Sequence, residues 1–286
     1  MSEESRISNC GTGFRIDNGA GGLTLIRMTM PITDLPTSIA KAFALLRCVS
    51  VSEPPASFST LLEQTGLPKA TLHRLLQELV TAGLIRTAPD RTYRPALGLL
   101  ELAYRAWESI DLKAVASRHV DTLWRSTDET VHLAVRDGHE IIYIDKRESP
   151  KTLRLFSSVG RRGPLHCTGV GKAILAHLPQ AERDEIINAI TLTGHTPHTI
   201  TSRHLLRAAF NDIRAAGLAF DREEHEVGII CVAAPIFDRT GRPVASLSVT
   251  APAMRMDDAR LATLAPEVKM AAERISADVV ASNCVI

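Results

Sequence analysis

The sequence predicts a mixed α/β protein of the α+β kind. A winged helix-turn-helix stands at its N-terminal end, and a larger domain of strands with flanking helices follows. Three observations predict this. Two short helical patterns meet at Thr65-Gly66-Leu67, and two strand-like segments come directly after them. From Thr130 onward the apolar period drops from about 3.6 to about 2, the change from helix to strand. Between these regions, residues 97–110 carry a helical pattern with no strands of its own. A length of 286 residues allows one to two domains, and 45% hydrophobic with 23% charged residues is the composition of an ordinary globular chain.

Residues 1–34 hold Gly11, Gly13, Gly19, Gly21 and Gly22 among polar residues, with no Gly-x-Gly-x-x-Gly spacing. No phosphate loop is expected there. The stretch reads as a disordered extension or as residues ahead of a mis-assigned start. The first domain spans 35–96. Its first helix, 38–50, has a broad apolar stripe of Ile39, Ala42, Phe43, Leu45, Leu46 and Val49, and Thr37 or Ser38 can cap it. Phe58, Leu61 and Leu62 mark the second helix, and Gly66 suits its stop. Pro68 fits the first position of the third helix, where a missing N–H costs nothing. Leu72, Leu75, Leu76, Leu79 and Val80 form that helix's apolar face, and Gly83 ends it. Segments 84–87 and 92–94 then read as the two strands of a wing around the turn 88–91.

Helix, tight turn and helix with a polar outer face is the pattern that sets a reading helix into a DNA major groove. The outer face carries Lys69, His73, Arg74 and Gln77, with Thr71 at the edge of the apolar stripe. These five are the expected base-reading residues. Arg86, Arg91 and Arg94 flank the wing turn and are expected to contact phosphates. A plain helical hairpin with solvated charges is the competing reading, and it leaves the wing unexplained. Residues 36–100 hold seven lysines and arginines against four carboxylates, while the whole chain has a net charge of +1. So modest an excess suits a module that binds tightly only when paired.

Residues 97–107 are expected to be a linker helix, closing a linker segment 97–110 that Ser109-Ile110-Asp111 breaks. Asp111 can cap the next helix, 112–125, which opens the second domain, 111–286. Residues 130–136 and 140–145 read as a hairpin around Asp137-Gly138, and 152–157 as a third strand. Residues 159–163 read as a loop. Helices follow at 173–177, 181–189 and 202–216, strands at 227–237 and 244–251, and a last helix at 257–279. Such a run predicts a mixed or antiparallel sheet.

The cysteines, Cys10, Cys48, Cys167, Cys231 and Cys284, are odd in number and show no CxxC, so neither a disulfide framework nor a zinc knuckle is suggested. No apolar run has the length of a membrane span and no signal peptide stands out. The cytoplasm is the expected compartment, with no membrane partner.

The stretch GLPKATLHRLLQELVTAGLI resembles the winged helix-turn-helix of the IclR family of bacterial transcription regulators. SVGRRGPLHCTGVGKAILA and GIICVAAPIFDRTGRPVASLSVTAP resemble two blocks of that family's effector-binding domain, a GAF-like sheet with helices. The resemblance covers about 38–280, and two separate blocks in the right order make it specific. It implies a regulator, with repression the expected sign, whose grip on a palindromic double-stranded operator answers to a small-molecule effector. It also implies a homodimer, assembling further to a homotetramer, and no cofactor.

The strand 245–250 alternates hydroxyl and apolar residues, so Ser246, Ser248 and Thr250 share one face. A solvated edge strand and a polar ligand pocket both fit that row. Gly169-Val170-Gly171 precedes a helix, where open N–H groups suit a carboxylate. The resemblance assigns Ser248, Thr250, Gly169, Val170, Asp221 and Cys231 to the effector pocket, and Ser246 less directly; Leu155 and Ile229 are expected as apolar walls. Asp221 can accept from a ligand hydroxyl. His166-Cys167 would suit a thiol nucleophile, but neighbours on one strand point to opposite faces, so no catalytic residue is expected. His225 with Glu223, Glu224 and Cys231 matches no standard metal spacing, and no metal ligand is expected. Arg161-Arg162 offers an anion clamp, but an exposed loop pair is the preferred reading.

Overall fold

The computed structural model describes residues 14–18, 24–28, 31–108, 110–151 and 157–282. The chain divides into two compact units, Met1–Ser109 and Ile110–Ile286. In the first, β1 (Phe14–Asn18) pairs antiparallel with β2 (Thr24–Met28), within the stretch where the sequence predicted no regular structure. Helix α1 (Ser38–Val51) is capped by Thr37, whose hydroxyl accepts from the Ala40 N–H at 3.1 Å. Helix α2 (Phe58–Thr65) ends at Gly66, whose φ of 63° is the left-handed conformation that glycine adopts without strain.

Helix α3 (Lys69–Thr81) starts one residue later than expected. Pro68 is its N-cap, with ψ at 138°, because the ring fixes φ while leaving ψ free to enter from extended chain. Gly83, at φ 69°, turns the chain out; its N–H bonds to the Val80 carbonyl and that of Leu84 to the Leu79 carbonyl. Leu45, Leu61, Leu72, Leu75, Leu76 and Ile85 form the core of this unit. Strands β3 (Ile85–Thr87) and β4 (Tyr93–Pro95) make the wing. Helix α4 (Leu97–Glu108) is tied to the turn after α3 by the Gly98 N–H on the Gly83 carbonyl at 3.2 Å, and no residue of α4 is buried.

The second unit opens with α5 (Asp111–Thr127). Asp111 lies in its first turn; the N-cap is Ile110, and no side chain caps it. The hairpin β5 (Thr130–Asp137) and β6 (Glu140–Arg147) pairs Asp137 with Glu140, which places the two-residue loop at Gly138-His139. Most of the expected third strand, including Leu155, lies outside the described residues, and Ser157 is in no strand. Where a loop was expected, β7 (Arg162–Pro164) adds a short edge strand. Then come α6 (Gly169–His177), α7 (Gln180–Ala189), α8 (Arg203–Ala216), the unanticipated β8 (Ala219–Arg222), β9 (Ile229–Phe237), β10 (Pro243–Pro252) and α9 (Asp258–Ser282).

The six strands order as β7-β6-β5-β10-β9-β8, every neighbour antiparallel. One face packs on α5 and α9 through Leu133, Val232, Leu247, Val249, Leu264 and Ile275. The other meets α6 and α8 through Ala134, Ala233, Ile174, Leu206 and Phe210. Helix α6 begins four residues before its predicted start, and Gly169 through Ala176 are all buried. A Cβ on Gly169 would stand 2.8 Å from the Cys231 sulfur, and one on Gly171 2.6 Å from the Leu165 carbonyl oxygen. Both glycines therefore serve close packing inside the helix rather than a loop ahead of it. Strand β10 lies between β5 and β9, so it is central, not an edge.

Candidate functional site

The first unit presents α3 and the wing. Lys69, His73, Arg74 and Gln77 are exposed along one side of α3, and Thr71 is half-buried at its margin. No side chain caps α3, so its first amides are available to a phosphate oxygen. Arg74 donates to Glu78 at 2.6 Å, with both side chains about half exposed. Such a surface pair stabilises by only about 0.3–0.5 kcal/mol, so an incoming polyanion can replace Glu78. In the wing, Arg86 and Arg94 are direct cross-strand partners, and Arg91 sits in the turn with a left-handed φ of 61°. Like charges placed opposite each other are unfavourable by themselves. Asp90 compensates only Arg94, at 3.1 Å. Hydrogen bonds from the Thr92 hydroxyl and N–H, then the Arg94 charge, hold the Asp90 carboxyl below its usual range.

In the second unit, register builds a polar row across the sheet. Asp221 on β8 pairs with Cys231 on β9, Cys231 with Thr250 on β10, and Thr250 with Thr130 on β5. In the next row Ser248 lies between Ala233 and His132. The start of α6 covers this surface. Thr168 caps the helix by accepting the Gly171 N–H at 3.1 Å, which leaves the Gly169 and Val170 N–H groups as the open donors. A cavity of about 70 Å3 lies between helix and sheet. Gly169, Val170, Asp221, Cys231, Ser248 and Thr250 all line it, with Ile229.

Ser246 does not. Its hydroxyl is fully buried and donates to the Ala234 carbonyl at 2.8 Å, so a neighbouring strand already satisfies it. Five residues that the sequence did not assign to the pocket also line the cavity: His132, Tyr143, Arg161, Arg162 and His225. The arginines come in because β7 docks on β6, and Arg162 is held by Asp137 and Glu140. His132 was legible as a polar residue on an apolar strand, with the period of 2 placing it beside Ala134's face. Its Nε2 meets the Ser157 hydroxyl at 2.7 Å and its Nδ1 the Thr250 hydroxyl at 3.4 Å.

Burial dominates the electrostatics. It pushes the Asp221 carboxyl up to about 7, with the nearby Glu224 charge adding to the shift; the Glu224 and His225 N–H groups donate to Asp221 Oδ1 at 2.7 and 3.4 Å and oppose it. Burial, then the Lys146 charge, lowers His132 to about 3, and burial with His195 and Arg161 lowers His225 to about 4. Both imidazoles are neutral at neutral pH. The Cys231 thiol is pushed up to about 12 by burial and Asp221, against the Thr250 and Ser248 hydroxyls that sit by its sulfur. Lys172 donates to Glu224 Oε1 just beneath. The pocket thus offers backbone, hydroxyl and guanidinium donors, neutral imidazoles and a carboxyl that is half protonated near neutral pH. That set can hold a small acid or a hydroxylated molecule. His166 and Cys167 lie in a turn before α6, not in a strand. Burial, with Asp221 and Glu224, holds the Cys167 thiol well above its ordinary value, so it is no thiolate nucleophile.

Residues 38–89 match the family described as the IclR helix-turn-helix domain, and 104–277 that described as the bacterial transcriptional regulator IclR C-terminal domain. The chain is 34% identical over 245 residues to the HTH-type transcriptional regulator KdgR of Escherichia coli (strain K12), covering 85% of this chain and 93% of that protein. It is 30% identical over 257 residues to the transcriptional repressor IclR of the same organism, covering 87% and 92%. Among solved structures, the IclR of Thermotoga maritima superposes with a TM-score of 0.72 at 31% identity, over 85% of this chain and 98% of that one.

The pocket electrostatics predict a pH-dependent cost. The folded Asp221 value lies above the roughly 3.9 of an unfolded aspartate, so the folded state binds the extra proton and loses stability as pH rises through about 7. Asp221→Asn removes the titration while keeping the Oδ1 acceptor. In urea unfolding between about pH 5 and about pH 8, the wild type should lose on the order of a few kcal/mol relative to the variant. A difference that stays constant with pH would contradict the assignment.

Proposed function

The chain belongs to the IclR family of bacterial transcriptional regulators, DNA-binding proteins rather than enzymes, and we propose that it represses transcription from a palindromic operator under the control of a small metabolite. In this reading residues 35–96 bind DNA, 97–110 link, and 111–286 take up the effector. It works in the bacterial cytoplasm; among the described residues no helix is long and apolar enough to cross a membrane. Base edges are read by Lys69, Thr71, His73, Arg74 and Gln77, while Arg86, Arg91 and Arg94 contact phosphates.

One observation carries the effector half: the uncapped Gly169 and Val170 N–H groups face a row of buried hydroxyls and a raised carboxyl at Asp221. A carboxylate on the ligand suits the helix end. Asp221 then meets a ligand hydroxyl, or donates its own proton, so the two acids need not repel. A cavity this size falls well below the roughly 300–1,000 Å3 of sites for drug-sized ligands, which favours a molecule of a few carbons. Pairing is supported by apolar side chains left in solvent: Ile39 and Phe43 on α1, and Leu97, Leu100 and Tyr104 on one side of α4. We take these as the homodimer contact, with dimers pairing further to a homotetramer.

Two measurements test the reading. Arg74→Ala should weaken binding to a duplex from the region upstream of the gene by about 1–3 kcal/mol, measured by fluorescence anisotropy; binding equal to the wild type at every salt concentration would remove Arg74 from the interface. The double variant Ser248→Ala, Thr250→Val should fold and bind the operator yet lose its response to the effector. A full response in that variant would move the pocket elsewhere.

A further inference from the structure

Beside the effector pocket, but not lining it, stands a second group of side chains. His166 and Cys167 lie in the turn that enters α6, at 2% and 0% exposure, and His195 reaches them from the loop after α7. One ring nitrogen from each histidine and the Cys167 sulfur all fall within 4.8 Å of one another. We propose that His166, Cys167 and His195 bind one borderline-soft divalent metal ion of the zinc type, through two imidazole nitrogens and a thiolate, with a fourth position open.

The donor set selects the ion. One sulfur with two imidazoles suits zinc and its neighbours, not magnesium or calcium, which take oxygen. Metal–ligand bonds of about 2.0–2.3 Å in a tetrahedron set ligand atoms about 3.3–3.7 Å apart, so the group must close by about 1 Å. The His195 side chain is exposed and can supply that shift.

The surroundings are those of a metal ligand shell. His166 Nε2 lies 3.0 Å from the Thr193 carbonyl oxygen. A carbonyl only accepts, so Nε2 carries the proton and Nδ1 keeps its lone pair, the arrangement that orients a metal-bound histidine. The bound cation stabilises the Cys167 thiolate, and the thiol proton is released to solvent as the metal binds.

A separate observation points to a missing positive charge. Among the described residues Glu224 Oε2 is buried with no hydrogen-bond partner, while Lys172 is bonded to the other oxygen, Oε1. A dication beside Cys167 would favour the charged form of the Glu224 and Asp221 carboxyls. It would also pin the turn that leads into α6, whose first amides line the effector pocket.

Cobalt(II) is the probe, titrated into metal-free full-length protein and followed by absorption. One equivalent should produce a near-ultraviolet thiolate-to-cobalt band together with visible bands of tetrahedral intensity, and zinc should displace both. Cys167→Ser should abolish the near-ultraviolet band. His195→Gln, at an exposed position, should lower cobalt affinity by at least about tenfold without changing the melting temperature. The proposal fails if one equivalent gives no such band, if the band persists in Cys167→Ser and so belongs to another cysteine, or if His195→Gln binds cobalt as the wild type does. Should Cys167→Ser not fold, the His195→Gln affinity decides alone.

Discussion

The approach of α6 to the sheet is the constraint on which the second domain depends. Gly169 lies against the Cys231 sulfur and Gly171 against the Leu165 turn, at distances no side chain would allow. That approach buries Val170, Ile174 and Leu175, each contributing roughly 1.5–3 kcal/mol of apolar burial. It also carries the helix N-terminus over the hydroxyl side of β10. Packing and binding geometry therefore have one origin. The two glycines that let the helix dock are the ones that bring its open N–H groups to the pocket.

Excluding water has an electrostatic consequence. Charges become expensive for the groups buried deepest around the pocket: His132 and His225 are depressed, Cys231 is raised, and Asp221 is held near half protonation, while the charged Arg161 and Arg162 stand at its less buried side. A charged pair kept inside, Lys172 with Glu224, is joined by a hydrogen bond, though one carboxylate oxygen is left over among the described residues. The DNA-facing unit follows the opposite logic. Its charges stay in solvent, its ion pairs are weak and replaceable, and the Arg86–Arg94 opposition on the wing is relieved best by an anion from outside. One chain thus keeps a soft, exchangeable charged face and a dry, selective polar interior in separate units.

Legibility in the sequence follows the range of the forces. In the first unit the signals are local: the leucine stripe of α3, Gly66 and Gly83 at left-handed positions, and the wing directly behind them. Two slips occur there: the role of Pro68, which concerns a single ψ angle, and the hairpin of β1 and β2, in a glycine-bearing polar stretch with too short an apolar period to mark it. In the second unit the hydroxyl alternation of β10 was legible because the strand period alone decides it. The fate of Ser246 was not, since its partner is the carbonyl of Ala234 on β9. The start of α6 was misplaced because glycines read as loop, while tertiary packing decides in favour of helix. Strand β8 spans only four residues, too few to show a pattern, and β7 only three. Arg161 and Arg162 therefore looked like a free loop pair when an edge pairing turns them toward the cavity.

The central claim is that the pocket and the operator share one equilibrium. Ligand binding can shift that equilibrium only if the two DNA-binding states hold the ligand with different strength, and the coupling must then be reciprocal. The direct measurement is calorimetric titration of a panel of small carboxylic and hydroxy acids into the protein, with and without saturating operator duplex. At least one acid should bind with an affinity that changes on adding operator, by the same factor as that acid changes operator affinity. Acids that bind equally well in both titrations, or no binding across the panel, would contradict it.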